Sequence, residues 1–416
     1  MRFILLLAIV FSLPVFSADY IIKLKSGVKA DFNTKNGDFK KLNTSFADFM
    51  VYTPAKNADW KSLADHPAVE YIEPNRTYHV APIVDMNEDT KSEPSFSKQW
   101  GLKNTGNNSG SLFVPGVAGR DINAEEAWPI TKGSKEIKIA VIDTGVDYNH
   151  VDLKDNIWTN QAELNGEKGV DDDGNGYIDD IHGYDFANKD GDPMDDQGHG
   201  THCAGVIGAD HNGQGVAGVN SDVTIVALKF LKSNGSGTTE DAVLAIDYAI
   251  KAGVNIMSNS WGGGEFSQAL EDTINAANEK GIIFVAAAGN SSSNNDSKPT
   301  YPACHKAENI ISVGSMAGNG KRSSFSNYGA KSVHVYAPGS GIYSTIPKNR
   351  YKSMSGTSMA CPFVAGVLGL MLTNEDMNVS QAKDRIITTS KPSSYLNTSV
   401  AKGWVDAHRA LMNITE

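Results

Sequence analysis

Past residue 130 the chain alternates between short, nearly continuous apolar runs and longer amphipathic stretches. The apolar runs are IKIAVID (137–143), VTIVALKFL (223–231), VNIMSNSW (254–261), GIIFVAAAGN (281–290) and NIISVGSM (309–316). Between them lie TEDAVLAIDYAIKAG (239–253) and FSQALEDTINAANEKG (266–281), apolar at helical spacing. Buried strands alternating with helices predict a doubly wound α/β fold, a parallel sheet with helices on both faces. Ligands of such sheets bind outside the carboxyl ends of the strands. The residues that end strands are therefore the ones to inspect.

The chain before residue 99 is patterned differently. YIIKLK (20–25), FADFMVYT (46–53) and VEYIEPNRTYHV (69–80) read as strands, and DWKSLADH (59–66) as a helix. A small α+β unit over 18–80 is expected. Residues 81–98 are polar, contain Pro82 and Pro94 and lack periodicity, which marks a linker. A large unit then runs over 99–416.

The first 17 residues, MRFILLLAIVFSLPVFS, form a basic start and an apolar run ending in small residues. They read as a secretory signal peptide, with cleavage expected between Ser17 and Ala18. It is too short for an anchor, and no later stretch reads as long and apolar enough to span a bilayer. A secreted protein, extracellular or periplasmic, with no membrane anchor is expected.

Composition adds two constraints. Net charge is −11, with 40% hydrophobic and 20% charged residues, which argues against nucleic acid or anionic lipid as a partner. The acid is concentrated, with ten aspartates between Asp171 and Asp196. Cys203, Cys304 and Cys361 allow at most one internal disulfide, so this is no disulfide scaffold. Small buried thiols are the plainer reading.

Four stretches carry candidate chemistry. Asp143 ends a buried strand, where a carboxylate is costly unless paired. Asn290 ends another, His199 opens a helical run in GHGTHCAG, and Ser358 lies in GTSMACPFVAG just ahead of an apolar helix. Singly, these are a loop cap, a turn residue, a surface histidine and a helix cap. Together they supply what a nucleophilic serine needs: a base, an acid to orient the base and donors for an oxyanion. A serine at a helix N-terminus also places its own N–H where negative charge develops.

AVIDTGVD, GHGTHCAG, AAAGN and GTSMACPFVAG resemble the signature blocks of the subtilisin-like serine proteases, in that family's chain order of Asp, His, Ser. The resemblance covers the chain from about Gln99 to its end. It implies Asp143 as triad acid, His199 as base, Ser358 as nucleophile and Asn290 as oxyanion donor. His202 then faces elsewhere. It further implies that polypeptide substrates lie as a strand between Ser236 and Gly237 on one side and Ser260, Trp261 and Gly262 on the other. Thr300 would stand at the floor of the primary specificity pocket and shorten it, and Tyr301-Pro302 would be cis. The 18–80 unit resembles the family's inhibitory pro-domain, an intramolecular folding aid removed by self-cleavage between Val80 and Lys98. A monomer is expected.

In GVDDDGNGYIDDIHG (169–183), Asp171, Asp173 and Asn175 alternate ahead of Gly176, as in a calcium loop. Position twelve is His182 rather than glutamate, so a structural Ca2+ loop and not an EF-hand is expected. Its ligands would be Asp171, Asp173, Asn175, the Tyr177 carbonyl and Asp179 or Asp180. The alternative is a solvated acidic loop. The resemblance implies a second calcium site from Gln99, Asp152 and Asn212, and a third from Asp185 and Asp190. No cofactor is needed for catalysis.

Two other classes fit less well. A calcium-dependent binding protein on an inert scaffold would lack a triad member, and none is missing. An α/β-hydrolase esterase would carry G-x-S-x-G around its serine and a different triad order.

Overall fold

The computed structural model describes residues 19–28, 30, 32, 37–55, 58, 60–80, 88–89, 95–110 and 115–415. The expected signal peptide and most of the expected linker lie outside the described residues. The chain divides into two compact units, Met1–Leu42 with Asp48–Arg76, and Asn43–Ala47 with Thr77–Glu416.

In the first unit, Gly37–Lys41, Phe49–Pro54, Tyr20–Leu24 and Val69–Pro74 form an antiparallel sheet in that order. Its core is Ile22, Tyr52, Leu63 and Val69. The stretch read as a helix is a 3-10 segment, Trp60–Asp65. The compact unit ends at Arg76 and not at Val80 because Thr77–Val80 pairs within the second unit.

In the second unit a nine-stranded sheet runs Lys391–Pro392, Gly403–Trp404, Val335–Pro338, Ile310–Met316, Ile283–Ala287, Ile256–Asn259, Gly133–Asp143, Asp222–Lys229, Gly183–Asp185. Every adjacent pair is parallel except the first. Its strands are buried on both faces. Ile139 and Val141 enter one apolar cluster with the helices His199–Gly208 and Thr357–Asn374. Ala140 and Ile142 enter another with Thr239–Lys251 and Gln268–Glu279. This is the doubly wound arrangement that the apolar runs predict.

One expectation needs correction. The helix Thr357–Asn374 is long and apolar enough to cross a membrane by length and composition. It is apolar all round because it is the central core helix, buried along most of its length.

Candidate active site

Asp143 closes the strand Gly133–Asp143 at the carboxyl edge of the sheet and is 1% exposed. Its Oδ1 accepts from Thr144 N at 2.7 Å and from His199 Nδ1 at 2.7 Å. His199 is the first residue of its helix and is fully buried. Gly198 before it has φ +109°, a turn that favours glycine. With Nδ1–H donating to Asp143, Nε2 carries the lone pair, and it has no hydrogen-bond partner among the described residues.

Ser358 is the second residue of the helix Thr357–Asn374, whose N-cap is Gly356. The serine therefore does not cap the helix. Its Oγ instead donates to Ser260 O at 2.9 Å, while Ser260 Oγ donates to Ser358 O at 2.8 Å. The Asp143 carboxylate and the His199 ring are joined in this structure, and the Ser358 hydroxyl rests on Ser260.

Asn290 follows the strand Ile283–Ala287. Its Oδ1 accepts from Thr357 N at 2.9 Å and Thr357 Oγ1 at 2.8 Å, which fixes the amide's orientation. A side chain at Gly356 would place its Cβ 3.1 Å from Asn290 Nδ2, 3.6 Å from Ser358 N and 3.7 Å from Ser358 Cβ. Two N–H donors and the serine thus converge on one small space, which glycine keeps open. That geometry suits a developing oxyanion.

The cleft beside these groups already holds a strand. Thr77–Val80 runs antiparallel between Ser236–Thr238 and Trp261–Gly262. His79 lies opposite Ser236 and Gly262, Tyr78 opposite Gly237, and Val80 opposite Trp261. Val80 N donates to Gly235 O at 2.9 Å, a partner the sequence did not single out. Tyr78 is fully buried, with its ring edge-on to Trp261 at 5.3 Å. Beyond Val80 opens a pocket of about 210 Å³ lined by Ser260, Ala287, Gly289, Asn290, Thr300 and Ser358. The Thr300 methyl lies 3.3 Å from where a Cβ on Gly289 would sit and 3.7 Å from one on Gly262, so it narrows that pocket. The Tyr301-Pro302 bond is cis.

His202 lies one turn below His199. Its Nε2 faces Ile342 O and Lys352 O, and burial pushes its pKa down to about 3, so it stays neutral. Cys203, Cys304 and Cys361 are free thiols. Burial pushes Cys203 up and Cys361 up to about 11, which makes both unreactive.

The acidic loop folds as a tight set of turns. Asn175 N is shared by Asp171 Oδ1 at 3.1 Å and Asp173 Oδ1 at 2.9 Å, and Gly176 N donates to Asp171 Oδ2. Asp180 is buried, accepts from Asn160, Asn175 and the Tyr248 hydroxyl, and is pushed up to about 6 by burial. Asp179 instead turns its carboxylate to Gly169 N, so Asp180 is the member that faces the cluster. Glu163, from a short helix before the loop, brings a carboxylate oxygen within 4.8 Å of those of Asp171 and Asp173. Nothing in the local periodicity pointed to it. An all-oxygen set of this kind fits a hard cation.

The other two expected calcium sets are less gathered. Asn212 Nδ2 reaches Asp152 Oδ1 at 3.2 Å, but both ends of the Gln99 amide bond to Ala217. Asp185 takes Asn188 N and Nδ2, while Asp190 takes Asp192 N.

A carboxylate–imidazole pair at one strand end, a buried serine at a helix start and two N–H groups beside it form a constellation that fits serine-hydrolase chemistry. Residues 134–405 match the subtilase family, and this chain belongs to it. It is 37% identical over 353 residues to a thermophilic serine proteinase of Bacillus sp. (strain AK1), covering 84% of this chain and 75% of that protein. It is 40% identical over 291 residues to thermitase of Thermoactinomyces vulgaris, covering 70% and 93%. Subtilisin-like protease 1 of Plasmodium berghei (strain Anka) is 38% identical over 306 residues, covering 68% and 51%. The chain is a subtilisin-like serine endopeptidase.

Proposed function

We propose that the protein is a secreted endopeptidase that removes its own N-terminal segment, with Ser358 as nucleophile, His199 as base, Asp143 as orienting acid and Asn290 with Ser358 N as oxyanion donors. The observation that carries this reading is the strand Thr77–Val80, held between Ser236–Thr238 and Trp261–Gly262 with Val80 beside the pocket that Ser358 lines. A polypeptide lying that way presents its next carbonyls to the serine.

In the reaction, the Ser358 hydroxyl leaves Ser260 O and passes its proton to His199 Nε2 as Oγ attacks the peptide carbonyl. The charge on the carbonyl oxygen falls between Asn290 Nδ2 and Ser358 N. His199, held by Asp143, then protonates the leaving amine, and water repeats the sequence on the acyl-enzyme. Asp171, Asp173, Asn175, the Tyr177 carbonyl, Asp180 and Glu163 would hold a structural Ca2+, which offsets their mutual repulsion and takes no part in catalysis.

The proposed self-cut lies between Val80 and Lys98, in the 81–98 linker. Within that linker, Glu88–Asp89 pairs with the strand Arg350–Met354. The test is the intact mass and new N-terminus of the secreted protein, wild type beside Ser358→Ala. Loss of the segment in wild type alone supports the reading, whereas equal trimming of both sinks self-processing. Cleavage profiling addresses the pocket: Thr300→Gly should raise kcat/KM for Phe at P1 relative to Ala by about tenfold. A wild type that already prefers Phe and Tyr would defeat that account of Thr300.

A further inference from the structure

Asp195 is a buried carboxylate, 4% exposed, held by hydrogen bonds to its surroundings. Burial pushes its carboxyl above the ordinary range, against donors that favour the anion. Such a group is costly to keep, and its partners show what it holds. Oδ1 accepts from Thr144 Oγ1 at 2.9 Å, Gln197 N at 2.9 Å and Gly198 N at 2.8 Å. Oδ2 accepts from Thr201 N at 2.9 Å and Thr201 Oγ1 at 2.6 Å. One oxygen thus reaches the residue after Asp143, and the other reaches the first turn of the helix that carries His199.

Thr144 completes the link from the other side. Its hydroxyl accepts from Gly200 N at 2.9 Å, and its own N–H donates to the Asp143 Oδ1 that also receives His199 Nδ1–H. Its carbonyl is held by the buried ammonium of Lys229 at 3.0 Å. The two segments touch so closely that a Cβ on Gly200 would fall 2.1 Å from Gly145 O. Asp143, Thr144, Asp195 and His199 therefore stand in one closed ring of bonds.

We propose that Asp195 and Thr144 are positioning residues that set His199 against Asp143 and act on turnover through that pair. The inference rests on the reading of Asp143 and His199 as acid and base. An asparagine cannot replace the carboxylate, because its amide N–H groups would face N–H donors.

The test is kcat and KM on a peptide substrate, per titrated active site, at several temperatures well below each variant's melting midpoint. Thr144→Val keeps the shape and removes the hydroxyl. Its kcat should fall about ten- to a hundredfold while KM stays within about threefold, the pattern of a small misplacement of reacting groups. Thr144→Ser, which restores the hydroxyl, should recover to within about threefold of wild type. Asp195→Asn should lose at least as much as Thr144→Val. The proposal is overturned if Thr144→Val keeps its kcat, if its loss lies in KM or disappears on cooling, or if Thr144→Ser is equally impaired. Ser358→Ala separates the two levels. If it is inactive, a failure at Thr144 leaves the protease reading intact; if it remains active, both fall together.

Discussion

The corner around Asp143 and His199 and the loop over residues 171–180 both gather carboxylates in little space, and they accommodate them by different means. Asp143 and Asp195 are buried among regular elements that aim N–H and O–H groups at them from fixed directions. Hydrogen-bond donors fixed in the fold hold those carboxylates, so the corner is set before any substrate arrives. Asp171 and Asp173 accept mainly from their own loop, and Glu163 brings a third carboxylate to the same spot. A strand end and a helix start can supply a preset field. In the run of turns Glu163 also accepts from the N–H groups of Asp172, Asp173 and Asp179, but its carboxylate crowds those of Asp171 and Asp173. There a cation becomes the economical solution.

The largest effect that bears on this contrast is removal of the nucleophile. Ser358→Ala should lower kcat by about a millionfold, a scale known from subtilisin in the same family. A residual rate near wild type on a fluorogenic peptide would disprove the corner's role. Next comes the preset field itself: Asn290→Ala should cost about a hundred- to a thousandfold in kcat with little change in KM, again on the subtilisin scale. Should the loss appear in KM alone, Asn290 serves binding and not the transition state.

The loop should respond to a different treatment. In a Ser358→Ala background, which prevents self-digestion, calcium at a hundred times its Kd should stabilise by about 3 kcal/mol over the chelated protein. Calorimetry with calcium and with chelator reads this directly, and Glu163→Gln should shrink the difference. Identical melting under both conditions means that the loop stands without an ion.

The smallest expected effect concerns a carboxylate between the two extremes. Asp241 sits behind the strand Ser236–Thr238, accepts from Thr238 Oγ1 at 2.7 Å, and is pushed up to about 6 by burial, with Glu240 adding to the shift. Its folded pKa lies above the ordinary value of 3.8, so the native state binds the proton more tightly. Its contribution is fully present below pH 3.8 and declines as pH rises through about 6. In the Ser358→Ala background, Asp241→Asn should flatten that part of the melting-temperature profile. An unchanged slope between pH 4 and 6 would show that other groups set it.

Much of the fold was legible because buried parallel strands announce themselves as apolar runs, and the site lies where those runs stop. Asp143 and Asn290 were visible for that reason, and His199 and Ser358 because glycines surround them at helix starts. The strands Lys391–Pro392 and Gly403–Trp404 were not legible, since two residues carry no period. The hydrogen bond of Ser358 to Ser260, the reach of Glu163 to the loop, and the hold of Asp195 on two segments are tertiary facts. They join residues that periodicity does not connect.

The place of Thr77–Val80 as a middle strand has a consequence for what can be digested. A chain seated there must offer both of its backbone edges, because Ser236–Thr238 pairs with Thr77–His79 and Trp261–Gly262 with His79–Val80. A target whose segment is already paired in its own sheet or helix has no edge to give. Its rate of destruction then follows how often that segment opens, not how well its side chains fit. On the proposed reading of that strand, such an enzyme would discriminate by conformation first, sparing well-folded neighbours and consuming frayed ends and exposed loops.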